Sequence, residues 1–152
     1  MKSKTPKDAI FVGLQLLLCI AFVIEVDLGV LPFDLPGFYT GALLGVGLSL
    51  FILSLAKLGR QLSPFPTPKP QSELVSDGIF KYIRHPIYTS IIVSMLAWSL
   101  SEQSIYQAFI SLLVLLLFYF KSTYEEEQLQ KKFPEYTFYM SKTGRFLPKI
   151  FK

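Results

Sequence analysis

Two short stretches of this 152-residue chain carry the side chains best suited to chemistry. The first is Arg84-His85-Pro86, with Ile87 and Tyr88 behind it. Proline is favoured at the first position of a helix, where its missing N–H costs nothing. His85 is then expected at a helix entrance, where unpaired backbone N–H groups and the positive dipole end gather. With Arg84 adjacent, that place suits a carboxylate or a phosphate. The bland alternative is a basic anchor at a membrane border. The second stretch is Lys121 followed by Glu125-Glu126-Glu127. Lys121 and Glu125 are four apart and share a helix face, while Glu126 and Glu127 point elsewhere around the helix. Such an acidic run is ordinarily a solvated face. Beside an anionic membrane surface, however, like charge repels, and a cationic partner would explain one of the acids. One stretch therefore offers a place for an anion and the other a place for a cation. A ligand with an α-amino and an α-carboxyl group would use both. Phe80, Tyr82 and Tyr88 add aromatic faces for a cationic centre such as a sulfonium.

Other chemistries are excluded early. The only cysteine, Cys19, cannot form an internal disulfide or a multi-cysteine metal site. The only histidine, His85, cannot belong to a histidine cluster, so no metal is expected. The net charge of +4 resembles a nucleic-acid signal until the charges are placed along the chain. The fifteen basic residues fall in three blocks. These are Lys2 to Lys7, then Lys57 to Arg84, then Lys121 to Lys152. No nucleic-acid partner is expected from this pattern.

The elements that must position these residues are apolar. The chain is 51% hydrophobic and 17% charged, against about 25% charged in a soluble domain. That composition argues against both an ordinary cytosolic domain and a disordered tail. Apolar stretches cover residues 9–26, 37–56, 86–100 and 105–120. A helix needs about 20 apolar residues to cross a bilayer, so the first two qualify and the last two are short. The connector Ser101-Glu102-Gln103-Ser104 predicts a tight helical hairpin between the last two. The fourth helix can continue past Phe120 until Pro134 stops it.

The connectors 27–36 and 101–104 hold acids but no Lys or Arg. All basic residues then lie on one side of a four-helix arrangement, the positive-inside pattern with both termini cytoplasmic. Trp98 and Tyr106 flank the outer turn as interfacial aromatics. No small-residue cleavage site follows the first apolar run, which is therefore expected to stay as a span. The expectation is a single all-α polytopic membrane domain with four transmembrane helices. The last two form the hairpin, and a helical extension follows on the cytoplasmic side. A soluble bundle of buried helices is the rival, and it would not need one-sided charge.

Between the second and third spans, Ser63-Pro64-Phe65-Pro66-Thr67-Pro68-Lys69-Pro70 has proline at every second position. It cannot be helix or central strand, and reads as a stiff spacer or as a wall across a pocket. Leu74-Val75 and the Asp77-Gly78 turn follow it.

The ordered set Leu74-Val75, Gly78-Ile79-Phe80 and Arg84-His85-Pro86-Ile87-Tyr88 continues in Glu125-Glu126, Leu129 and Phe133-Pro134-Glu135-Tyr136. It ends in Tyr139 and Arg145-Phe146-Leu147-Pro148. This pattern resembles the isoprenylcysteine carboxyl methyltransferase and phospholipid methyltransferase family of integral membrane enzymes. The likeness spans about residues 58–148. It implies S-adenosylmethionine as methyl donor, bound at the cytoplasmic face by elements 72–88 and 121–148. It also implies a lipophilic small-molecule or lipid acceptor that enters from the surrounding membrane lipids. By this resemblance Leu74, Val75, Phe80, His85, Pro86, Ile87, Tyr88 and Glu125 contact the cofactor. Glu126 supports it, and Lys121 occupies the place of an arginine that touches the acceptor carboxylate. Lys121, Glu126 and Arg84 are the candidate catalytic residues, and Glu126 or His85 could take the proton of an amine acceptor. Size and likeness together imply a bacterial inner membrane.

Two departures from the family concern the acceptor. Lys121 cannot make arginine's bidentate fork. Ser72 and Glu73 stand where the eukaryotic enzymes have histidine and threonine. The acceptor class, the choice between O- and N-methylation and the oligomeric state stay open. A membrane reductase using NADPH and a non-enzymatic packing subunit are the other readings. Gly45-Val46-Gly47 in the second span reads as a helix-packing site rather than a cofactor loop.

Overall fold

The computed structural model describes residues 5–149. Of the basic residues, Lys2, Lys4 and Lys152 lie outside the described residues. Among the described residues five α-helices form: α1 (Pro6–Val23), α2 (Gly37–Leu58), α3 (Pro86–Ser101), α4 (Ile105–Lys132) and α5 (Tyr136–Lys142). Among the described residues, strand pairing is limited to isolated bridges.

Local chemistry explains the helix limits. At α1, Thr5 and Asp8 form a capping box: the Asp8 N–H donates to Thr5 Oγ1 at 3.3 Å, and the Thr5 N–H donates to Asp8 Oδ2 at 2.9 Å. With Pro6 at its first position, this starts the helix earlier than the apolar run alone predicts. It also stops at Val23 rather than Val26, because Ile24 turns extended and the acids Glu25 and Asp27 follow. Helix α2 ends at Gly59, whose φ of 49° suits a residue without Cβ. The hairpin between α3 and α4 forms as expected, and Ser104 caps α4 by accepting the Gln107 N–H at 3.2 Å. Pro134 lies just past the end of α4.

Among the described residues three helices are long and apolar enough to cross a membrane: Pro6–Val23, Gly37–Gln61 and Ile105–Lys132. The 16 residues of α3 rise only about 24 Å, short of a hydrocarbon core of about 30 Å. The 28 residues of α4 rise about 42 Å. Helices α1 and α2 expose large apolar side chains around most of their surface, among them Leu14, Leu17, Phe38 and Leu48. That exposure fits a lipid solvent rather than water.

The α3–α4 hairpin is the centre of the molecule. Helix α2 packs on α3, and α1 packs on α4. Ile92 and Met95 of α3 meet Ile110, Val114 and Phe118 of α4 to form the core. Gly47 is the contact point of α2 on α3. A Cβ there would collide with Ser94 Oγ and come within 3.1 Å of the Ser90 carbonyl oxygen. Gly45 has open space around it, so only the second glycine of the pair is needed for packing. At one end of the bundle the Lys- and Arg-free connectors lie together: the Leu31 N–H donates to the Gln103 carbonyl at 2.8 Å. Tyr106 does not stand free there as a belt residue, since its hydroxyl donates to the Ala21 carbonyl at 2.9 Å.

Candidate functional site

Helix α4 changes character along one stripe. Its positions on that stripe run Ile110, Val114 and Phe118, then Lys121, with the half-buried Glu125 one turn on, at helical spacing. The apolar part makes the core, and the charged part opens onto a cavity of about 400 Å³ at the same end as α5. All four long helices contribute to its wall: Gln15 from α1, Phe51 and Leu55 from α2, Tyr88 and Ile91 from α3, Lys121 and Glu125 from α4. Ser63 and Pro64 of the proline run close one side. A smaller cavity of about 130 Å³ adjoins it, between the proline run and the end of α4. Phe80, Arg84, His85 and Glu125 line both.

His85 stands at the N-terminal boundary of α3, with Pro86 first in the helix. Its ring is stacked at 5.3 Å and nearly parallel to Tyr88, which stacks in turn on Phe118 at 4.5 Å. The Nε2 edge lies 3.1 Å from Glu126 Oε1. A carboxylate only accepts, so Nε2 carries the proton and Nδ1 faces the Glu125 side. Tyr88 donates its hydroxyl to Glu125 Oε2 at 2.7 Å, and His85 Nδ1 is 3.8 Å from the same oxygen. Glu125 Oε1 has no partner among the described residues.

Glu126 occupies a different place. It is only 2% exposed and lines neither cavity. Its Oε1 accepts from Arg84 Nε at 2.7 Å and from His85, and its Oε2 accepts from Arg145 at 2.6 Å. Arg84 also donates to the carbonyls of Met140 and Thr143. The result is a closed knot joining the start of α3, the end of α4 and the C-terminal segment.

The backbone continues that knot. The Arg84 N–H donates to the Gly144 carbonyl at 2.8 Å, and the His85 N–H to the Arg145 carbonyl at 3.1 Å. The α3 entrance is thus partly satisfied by protein, and the amides of Ile87 and Tyr88 remain as candidates for an anion. Tyr139 donates its hydroxyl to the Phe80 carbonyl at 2.6 Å. Burial pushes its phenol up to about 12, helped by Glu126 and opposed by Arg84. Burial also raises the Tyr136 phenol.

Ten of the eleven residues expected from sequence meet at these two cavities. Pro86, Ile87, Tyr88 and Lys121 line the larger one, and Leu74 and Val75 the smaller. Phe80, Arg84, His85 and Glu125 belong to both. Glu126 stands behind them. Two residues escaped the sequence reading of the site. Arg145 was visible only as part of the Arg-Phe-Leu-Pro motif. Gln15 was signalled only as the single amide in an apolar run.

The donor set fits a zwitterionic cofactor with a positive centre. Glu125 offers an open carboxylate oxygen, Tyr88 and His85 offer flat rings, and the first turn of α3 offers amides. Among the described residues no group of three or more His, Cys, Asp and Glu could hold a metal ion. A family model described as phospholipid methyltransferase matches residues 37–136, which include α2 to α4 and the cavity-lining connector between α2 and α3. No curated protein matches the chain.

Proposed function

Because the chain belongs to the phospholipid methyltransferase family, we propose that it is an S-adenosylmethionine-dependent enzyme that methylates a lipophilic acceptor at the membrane. The observation that carries this reading is the single cavity on which Glu125, Tyr88, His85 and Lys121 converge. It is walled by helices whose other faces suit lipid. In this reading α3 is a fourth, short span, both termini are cytoplasmic and α5 belongs to a cytoplasmic extension. A bacterial inner membrane is the proposed location.

The bound cofactor supplies an electrophilic methyl group on a sulfonium, and its transfer is an in-line displacement that neutralises charge. The chain's own work is alignment and exclusion of water. Glu125 Oε1 holds the α-amino end, and the α3 entrance holds the carboxylate. The His85–Tyr88 stack presents an aromatic face to positive charge. Leu74, Val75 and Phe80 close the smaller cavity around the remaining part. Lys121 stands on the acceptor side.

A carboxylate acceptor needs no general base. An amine acceptor must lose a proton, and His85 Nδ1 is the group placed to take it. Glu126 is assigned another task, since both of its oxygens are engaged and it fixes His85 from behind. Arg84 serves the same knot. Both are positioning residues. A reductase using NADPH would need basic side chains open to a phosphate, whereas Arg84 and Arg145 are committed to Glu126.

The test is direct. Purified protein should bind S-adenosylmethionine, and Glu125→Gln and His85→Ala should each weaken that binding by about tenfold, the worth of one charged hydrogen bond. Membranes containing the protein should transfer label from a methyl-labelled donor into a lipid fraction. Full affinity in both variants would remove the site assignment. Absence of cofactor binding in the unaltered protein would remove the reading itself.

A further inference from the structure

Lys121 is 1% exposed, although it stands directly after the apolar run of α4. Its ammonium has three N–H donors. One donates to Gln15 Oε1 at 2.6 Å. The ring of Tyr88 lies 5.3 Å away and that of Phe118 5.9 Å away, on the other flanks. No other hydrogen-bond acceptor, and no ion pair, meets Nζ among the described residues. Two donors therefore have no acceptor among the described residues, at the wall of the cavity that Lys121 and Gln15 both line. The neighbouring wall is apolar, formed by Phe51, Leu55 and Ile91.

Gln15 is the only amide or charged side chain between residues 9 and 23. It belongs to α1, which lies outside residues 37–136 of the family match. An amide oxygen orients the ammonium without cancelling its charge. An acid in the same place would cancel it, and an aliphatic side chain would leave it unoriented. Along the cavity wall, the anionic Glu125 and the cationic Lys121 stand one turn apart without an ion pair between them, with Tyr88 bonded to the first and its ring beside the second.

We infer that Gln15 is a specificity-determining positioning residue: it holds the Lys121 ammonium so that the cavity selects lipophilic acceptors with an anionic headgroup. The word acceptor rests on the methyltransferase reading, but the anion preference exists without catalysis and is measured without it. Helix α1 is then part of the acceptor site rather than only an anchor.

The full chain in phosphatidylcholine nanodiscs is titrated with two single-chain probes of equal length, tetradecanoate and tetradecanol. Empty nanodiscs correct for partition into the bilayer. The unaltered protein should bind tetradecanoate at least about tenfold more tightly than tetradecanol, as expected for a charge-assisted hydrogen bond in an apolar wall. Gln15→Met and Gln15→Glu should each lose that preference while their affinity for S-adenosylmethionine stays unchanged. Should Gln15→Met fail to fold, Gln15→Asn, whose amide is too short to reach Nζ, takes its place with the same expectation. Equal binding of the two probes by the unaltered protein would overturn the inference. So would a preference that survives in Gln15→Glu. A protein that binds no S-adenosylmethionine but shows the Gln15-dependent preference would overturn the catalytic reading and uphold this one.

Discussion

At the residue scale, two adjacent glutamates on one helix have different environments. Glu125 keeps an oxygen open to the cavity, whereas Glu126 is saturated by Arg84, His85 and Arg145. The sequence places three acids in a row and gives no means of ranking them. Glu126 in particular reads as pointing away from the interesting face. Its partners are 19 to 42 residues distant, so their convergence depends on how the C-terminal segment folds back onto α3. The difference has a measurable consequence. Glu126→Gln removes the one negative charge from a buried cluster and leaves two guanidinium groups facing each other. That should cost about 3–5 kcal/mol, read as a large fall in the thermal midpoint of the purified protein. Glu125→Gln, at a partly open position, should change the midpoint little while weakening cofactor binding. Similar midpoints in the two variants would mean that the knot does not carry the fold.

At the element scale, the site depends on how closely α2 can approach α3, because Phe51 and Leu55 of α2 form part of the wall of the cavity that Lys121 also lines. Gly47 sets that approach. Gly47→Ala should loosen the pair, and its added methyl would meet the Ser94 hydroxyl first. Gly47→Ala should therefore lower the thermal midpoint clearly. Ser94→Ala in the same chain should restore part of the loss, since residues in contact do not act additively. A double variant that loses the sum of the two single effects would show that the contact is unimportant. Much of this level was legible beforehand. The hairpin followed from a four-residue polar connector, the end of α4 from Pro134, and the entrance of α3 from Pro86. Other features were hidden. The early start of α1 came from a capping box that apolar run length does not see. The place of Gln15 beside Lys121 needed the packing of α1 on α4, which no spacing within α1 encodes.

At the scale of the whole molecule, the charge pattern and the cavity state the same asymmetry. One end carries the connectors without Lys or Arg, stitched together through Leu31 and Gln103. The other carries the proline run, the Glu126 knot, α5 and the cavity. Helix α4 is long enough to join them, reaching about 42 Å, while the shorter α3 begins inside the knot. If the basic end faces the cytoplasm, a water-soluble cofactor reaches the smaller cavity from that side and a lipid reaches the larger one laterally. Orientation is thus part of the chemistry, and labelling can decide it. In a Cys19→Ser background, Ser101→Cys should react with a membrane-impermeant maleimide in intact spheroplasts. Ser141→Cys should react only after the membrane is opened. Both residues are exposed, so access and not burial governs the result. Labelling of both from the same side would require α3 and α4 to return without crossing, and the arrangement of two access routes would fall with the topology.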